Sequence, residues 1–236
     1  MKRFLLFIFY CFSLQFSFAQ IEFRNSNLGR VMNLRDLDGN ALLKKYDPDI
    51  NGSPFINDNW VSSIITLSSG KQIGPVSVKL NIESSELYYL DSAGKEMVAQ
   101  DGSVRKIDCL DYYAKDSIRY VFKNGYPPID KQDENFYYQV FTEGKIELLA
   151  KKFKYIRSEK NDLTGEISKA FIDGAVVLYV DAYGLMQPYR PTKEFVTSLF
   201  EQDKEQATKA FIETNKINLK KVPDLIKLFN YYNNSM

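Results

Sequence analysis

No histidine occurs among the 236 residues of this chain. That absence removes every Ser-His-Asp and Cys-His arrangement, His-ligated zinc, and general-base catalysis by imidazole. Cysteine is nearly as scarce: Cys11 sits inside an N-terminal apolar run, and Cys109 stands alone in the rest of the chain. One remaining thiol cannot make an internal disulfide, so stability has to come from a core, which an aromatic content of 14% can supply. Cys109 reads as a small buried hydrophobe, with an intermolecular disulfide as the alternative. No glycine-rich phosphate loop, GxSxG elbow or CxxC pair is present. Ser69-Gly70-Lys71 offers a Ser-Lys pair, but in a predicted hairpin turn, where a desolvated lysine is hard to build. An excess of one charge is also missing: 31 basic and 30 acidic residues are interspersed, so no basic face marks a nucleic-acid partner.

The one long apolar run is at the start, where Lys2 and Arg3 precede Phe4 to Phe18 and then Ala19. It is short against the roughly 20 residues that a bilayer core requires. Ser17-Phe18-Ala19 fits the small-x-small cleavage rule, so residues 1–19 read as a secretory signal peptide rather than a retained anchor. Cys11 lies within the run rather than at its end, which argues against lipid attachment. Cleavage after Ala19 leaves a chain beginning at Gln20, periplasmic or secreted, without a transmembrane segment. Losing Lys2 and Arg3 leaves 29 basic against 30 acidic residues, which implies no charged partner.

What the chain does have is alternation. Val76, Val78, Leu80 and Ile82 alternate with Ser77, Lys79 and Asn81, placing branched side chains on one face of a strand. Turn signals at Ser69-Gly70, Ala93-Gly94, Asp101-Gly102, Asn124-Gly125 and Glu143-Gly144 divide residues 60–190 into a β-rich domain. Strands are expected at 61–68, 74–82, 86–91, 95–99, 103–110, 117–123, 136–142 and 145–157. Ala175 to Ala182 makes a further, covered strand, and Leu185 to Tyr189 pairs back across Tyr183-Gly184. The apolar positions change phase between Ile146 and Ile156, which suggests a bulge near Lys151-Lys152. Tyr126 to Asn135 reads as an exposed loop and Ser158 to Lys169 as a polar connection. Before the sheet, residues 20–59 are polar and turn-rich, with short helical turns around Asp38-Gly39.

Residues 191–236 switch to a helical period. Phe195, Val196, Leu199 and Phe200 form a first face, Asp203 with Gln206 caps a second helix, and Pro223 opens a third. The expected class is therefore α+β: an antiparallel β-meander, curled or barrel-like, with a C-terminal cluster of two or three short helices that must dock to be stable.

Two segments, YDPDINGSPFINDNW (Tyr46 to Trp60) leading into the meander and KAFIETNKINLKKVPDLIKLFNYYN (Lys209 to Asn233), resemble those of secreted proteins common in Bacteroidota-type bacteria. There a Gly-Ser-Pro turn opens a meander and a Lys-rich helical hairpin closes the chain. The resemblance implies an envelope location and carries no activity with it.

Three constellations bear on function. Asp47, Asp49 and Asn51, with Gly52 and then Asp58, match the oxygen positions and the glycine of a calcium loop. Pro54, the short Asp58 and a strand rather than a helix at the exit point instead to an Asx and proline turn. Glu83, Glu86, Asp91 and Glu147 lie on or beside strands and supply carboxylates for glycoside hydrolysis, or simply surface charge. The aromatic runs Tyr88-Tyr89, Tyr112-Tyr113, Phe136-Tyr137-Tyr138 and Tyr231-Tyr232 fill the core or line an outward platform. With so few reaction classes left open, the sequence favours a non-catalytic binding module for an envelope protein, peptide or glycan over a histidine-free, glycan-directed hydrolase. Intact mass of the exported protein is expected to correspond to a chain starting at Gln20. Retention of residues 1–19, or a lipid adduct, would contradict the export reading.

Overall fold

The computed structural model describes residues 43–113 and 119–234. The signal peptide, the turns expected around Asp38-Gly39, and the start of the strand expected at 117–123 lie outside the described residues.

The alternating stretch forms as the spacing predicts. β2 (Val61–Leu67) buries Val61, Ser63, Ile65 and Leu67 in turn. It pairs with β3 (Gln72–Asn81), whose Val76, Val78 and Leu80 face the same interior. β4 (Glu86–Leu90) and β5 (Glu96–Val98) continue the meander outward. The chain then returns, and β6 (Val104–Tyr113) pairs with the free side of β2. These strands close over a first core that includes Ile65, Tyr89, Met97, Ile107, Phe122 and Tyr137. Each large apolar side chain buried there contributes about 1.5–3 kcal/mol.

From β6 the sheet continues through β7 (Arg119–Lys123), β8 (Tyr138–Thr142), β9 (Glu147–Lys160) and β10 (Ile167–Val180). The other side of β10 carries β1 (Ile50–Asn51) near one end and β11 (Met186–Pro188) near the other. Among the described residues the result is one mixed sheet of eleven strands, not closed. Two sequence expectations change here. Closure does not occur, and β1 runs parallel to β10 while the other neighbours are antiparallel.

The C-terminal helices lie against one face of β8 to β10. Thr192 caps α1 (Lys193–Ser198) by accepting a hydrogen bond from the Phe195 amide. A 3-10 turn at Gln202–Lys204 takes up Asp203, so α2 (Glu205–Thr214) starts from Lys204 without a side-chain cap, contrary to the expected Asp203 and Gln206 pair. Pro223 sits in the first turn of α3 (Val222–Asn234) as expected. Their apolar faces meet the sheet in a second core of Leu148, Tyr179, Val196, Ile212, Leu228 and Phe229. No helix among the described residues is long and apolar enough to cross a membrane.

The opposite face of β8 to β10 is covered by the loop after β7. Tyr126 and Phe136, at its two ends, are buried with Tyr138, Val140, Leu149 and Leu178 in a third core, so only the loop's middle is exposed. Cover on both faces explains the phase change read in β9. Leu148, Leu149 and Ala150 are all buried, the β9–β10 register is unbroken, and the irregularity falls instead between Val140 and Thr142 of β8. The stretch read as a polar connection is the end of this hairpin: β9 extends to Lys160 and β10 begins at Ile167, because Ser158 to Lys160 find partners in Ile167 to Lys169.

Cys109 is buried in β6, and burial pushes its thiol up to about 11, opposed by a hydrogen bond with Ser63. At pH 8 the native protein is expected to resist iodoacetamide and to react fully in denaturant. Rapid labelling of the folded chain would contradict this burial.

Candidate functional site

Residues 43–59 run as a strap between two parts of the sheet distant in strand order. On the β10 side, Asp47 pairs with Lys169 (3.3 Å), Tyr46 packs edge-on against Phe171, and the Ser53 carbonyl accepts from Lys154 (2.8 Å). Across the gap, the Ile56 amide donates to the Leu80 carbonyl (2.9 Å) and the Ile82 amide to the Pro54 carbonyl (3.1 Å). Phe55 packs edge-on against Tyr88, and Lys79 lies over the rings of Phe55 and Trp60. A polar cluster completes this end. Lys44 and the Tyr46 hydroxyl both donate to Glu83, Asn81 donates to the Tyr46 oxygen, and the Lys44 amide donates to Tyr88.

Beside the strap lies a groove of about 360 Å³, continuous in its lining with a neighbouring hollow of about 260 Å³. Three segments build it: the β3–β4 turn with Glu83, Ser84 and Ser85, the 131–136 loop with Gln132 and Phe136, and the β9–β10 hairpin with Lys151, Phe153, Lys154 and Val176. Ser85, in the lining, and Asp130, just before the 131–136 segment, adopt left-handed backbone, at φ 61° and φ 55°. Each costs on the order of 1 kcal/mol or more and persists only where its surroundings impose it. Here Ser85 accepts a hydrogen bond from the Tyr137 amide (3.0 Å), and Asp130 pairs with Lys151 (3.1 Å).

One wall of the groove depends on a glycine. Phe153 and Gly174 are direct cross-strand partners, and a Cβ at Gly174 would come within 2.3 Å of the Phe153 ring. The ring therefore lies across the backbone of β10. Tyr155, two residues along the same face and 46% exposed, follows it with ring centroids 6.4 Å apart and planes tilted by 32°. None of the expected aromatic runs includes these residues. Tyr88 and Tyr89 are both buried, as are Phe136, Tyr137 and Tyr138, because elements cover both faces of their strands. Tyr232 is buried as well, and Tyr231 stacks on Phe211. A visible signal existed in Phe153-Lys154-Tyr155, an alternating aromatic pair.

The expected carboxylates are distributed rather than paired. Glu86 accepts from Ser84 and Tyr88, Asp91 caps its own turn through the Ala93 and Lys95 amides, and Glu147 accepts from Tyr126. Lys123 lies 3.6 Å from both Glu143 and Glu147. Burial works to raise the Glu143 carboxyl, but Lys106 and Lys123 outweigh it and hold it below the ordinary carboxylate range. Glu83 behaves alike, with burial outweighed by Lys44 and Tyr46. A general acid requires the opposite shift.

The calcium-pattern residues are spread over three local settings. Asp47 and Asp49 form the turn before β1, Asn51 is within β1 beside Ala170, and Asp58 lies in a later bend. The Asp47 oxygens accept from the Asp49 amide and from Lys169. Among the described residues no group of three or more His, Cys, Asp or Glu converges as a metal cluster.

Larger hollows exist, of about 700 Å³ between α1 and α2 and about 510 Å³ between β6 to β8 and α3. Ion pairs sit at both: Lys193–Glu213 and Lys209–Glu205 at the first, Lys106–Glu143 and Arg119–Asp108 at the second. Neither has an aromatic ring laid flat along its wall by a facing glycine.

The chain matches no family model, and no curated protein or solved structure is similar to it.

The strap should respond to pH at both extremes. Glu83 has a depressed folded pKa, so its contribution is present above the ordinary value of 4.5 and is lost as pH falls through the lower folded value. Lys44 is shifted upward, with the Glu83 hydrogen bond overcoming burial, so its contribution holds below 10.5 and is lost above the folded value. Glu83→Ala is expected to cost about 1–2 kcal/mol and to speed amide exchange in residues 43–56 at neutral pH. Unchanged exchange there would show that the cluster does not hold the strap.

Proposed function

We propose that this chain is an exported envelope protein, periplasmic or secreted after loss of residues 1–19, and that it acts as a non-catalytic binding module whose ligand lies in the groove beside the strap. The observation that carries this reading is the groove's construction. Three separate segments, one of them holding the strained Ser85, converge on one aromatic wall and a set of hydroxyl, amide and ammonium groups. Backbone strain of that kind is maintained against a free-energy cost, and rigid presentation of a surface is what it maintains. The hydrolase alternative has less support, since Glu83, the carboxylate lining the hollow that holds Phe153, is held ionised by Lys44 and Tyr46. An envelope glycan, peptide or protein remains the class of partner.

Hydrogen exchange of the mature protein with its own cell-envelope extract, split into polysaccharide and protein fractions, tests the reading. Protection is expected in residues 82–85 and 130–136 with one fraction, and that fraction should be recovered chemically unchanged. Protection confined to the helices, no protection with either fraction, or cleavage of the extract abolished by Glu83→Gln would overturn it.

A further inference from the structure

We infer that the ligand of this groove is a neutral saccharide chain, stacked along Phe153 and Tyr155. The inference rests on the groove reading above and specifies its chemistry.

A pyranose presents carbon-bound hydrogens on one face and hydroxyls around its rim. It is therefore held by an aromatic ring that offers its face, with hydrogen-bonding groups at the side. Phe153 offers such a face, because Gly174 lets the ring lie across β10 instead of standing upright. A side chain at position 174 would push it off. Tyr155 repeats the surface one step along the strand, 6.4 Å away. That interval is on the scale of successive units in a sugar chain, and the 32° tilt between the rings suits a chain that turns as it advances. On the same face are Ile172 and Val176, the cross-strand partners of Tyr155 and Lys151, which extend the apolar strip.

Charge decides against an ionic ligand. Glu83, Asp101 and Asp133 balance Lys131, Lys151 and Lys154 in the lining. The two lysines nearest the rings are engaged, Lys151 with Asp130, and Lys154 with Asp173 and the Ser53 carbonyl. A surplus positive charge that would select a phosphate, sulfate or carboxylate is thus lacking in this lining. Ser84 and Gln132 supply neutral hydrogen-bonding groups at the rim. A strand-adding peptide would dock at the outer edges of β9 and β10, which among the described residues have no strand partner beside Phe153 and Gly174, and not on the sheet face that carries the rings.

The experiment is isothermal titration of the full mature protein with cellohexaose, xylohexaose, laminarihexaose and chitohexaose. At least one is expected to bind saturably. Phe153→Ala and Tyr155→Ala should each weaken that binding about tenfold, the loss that removing one stacked ring produces. Phe153→Trp is expected to keep affinity and Gly174→Val to lose it, while Leu163→Ala at the exposed hairpin tip changes nothing. Tyr155 is exposed enough that its truncation leaves the fold intact, so a misfolded Gly174 variant does not blur the result. Failure of all four sugars to bind, or binding indifferent to both ring deletions, overturns the inference. If the groove is protected by envelope polypeptide while no sugar binds, the groove reading survives and the saccharide assignment falls.

Discussion

An open sheet has edges, and an unpaired edge is a template for unwanted association. In this fold that constraint is met by length and by the strap. The terminal strand β5 has three residues, and β1 has two. β1 and β11 lie beside opposite ends of β10, at Lys169–Ala170 and Leu178–Val180. The strap does more than blunt an edge. By pairing with β10 through Ile50 and Asn51, and with the end of β3 through Phe55 and Ile56, it ties together strands that the sheet order places far apart. The strap thereby bridges a sheet that does not close, and the groove lies beside it.

Holding it takes polar groups in partly buried places, and each is satisfied locally. Asn81 is fully buried, yet its amide donates to Tyr46 and its carbonyl accepts from the Glu83 and Ser84 amides. Burial pushes the Tyr88 hydroxyl up to about 12, which keeps it neutral while it accepts from the Lys44 amide. Such a network contributes little net energy per hydrogen bond, about 1 kcal/mol, but leaving any member unpaired would cost more. Its effect is therefore one of geometry: it fixes where the β3–β4 turn sits relative to the strap.

Local order was legible in the sequence and long-range order was not. Period-two alternation located β2 and β3, and Gly-containing turns located the hairpins after β2, β4 and β8, because these depend on neighbours within a few residues. The return of β6 to pair with β2 depends on pairing between distant segments that no local pattern encodes. Cover on the second face was equally invisible. Tyr88-Tyr89 and Leu148 to Ala150 look amphipathic or out of phase until the strap, the helices and the 126–136 loop are placed over them. The ring of Phe153 was missed for a related reason. Its role depends on Gly174, twenty-one residues later in the chain, and only the register of β9 with β10 puts the two face to face.

That register also links the groove to the strap. A two-stranded ribbon is marginal by itself in water, and beyond Lys151 the β9–β10 hairpin has, among the described residues, no third strand except β1. Tyr155 and Phe153 belong to this less supported part, where β9 passes from buried to exposed. Lys154 and Lys169 anchor it to the strap, which is in turn fixed by Lys44 and Tyr46 to Glu83 at the groove's other wall. The two walls are thus joined through the strap in a continuous chain of contacts. Anything bridging the walls directly stiffens the hairpin that the strap supports, and anything loosening the strap frees the aromatic wall to move. On the proposed reading, a ligand across the groove and strap attachment would reinforce each other, since both would draw on the ordering of the same hairpin.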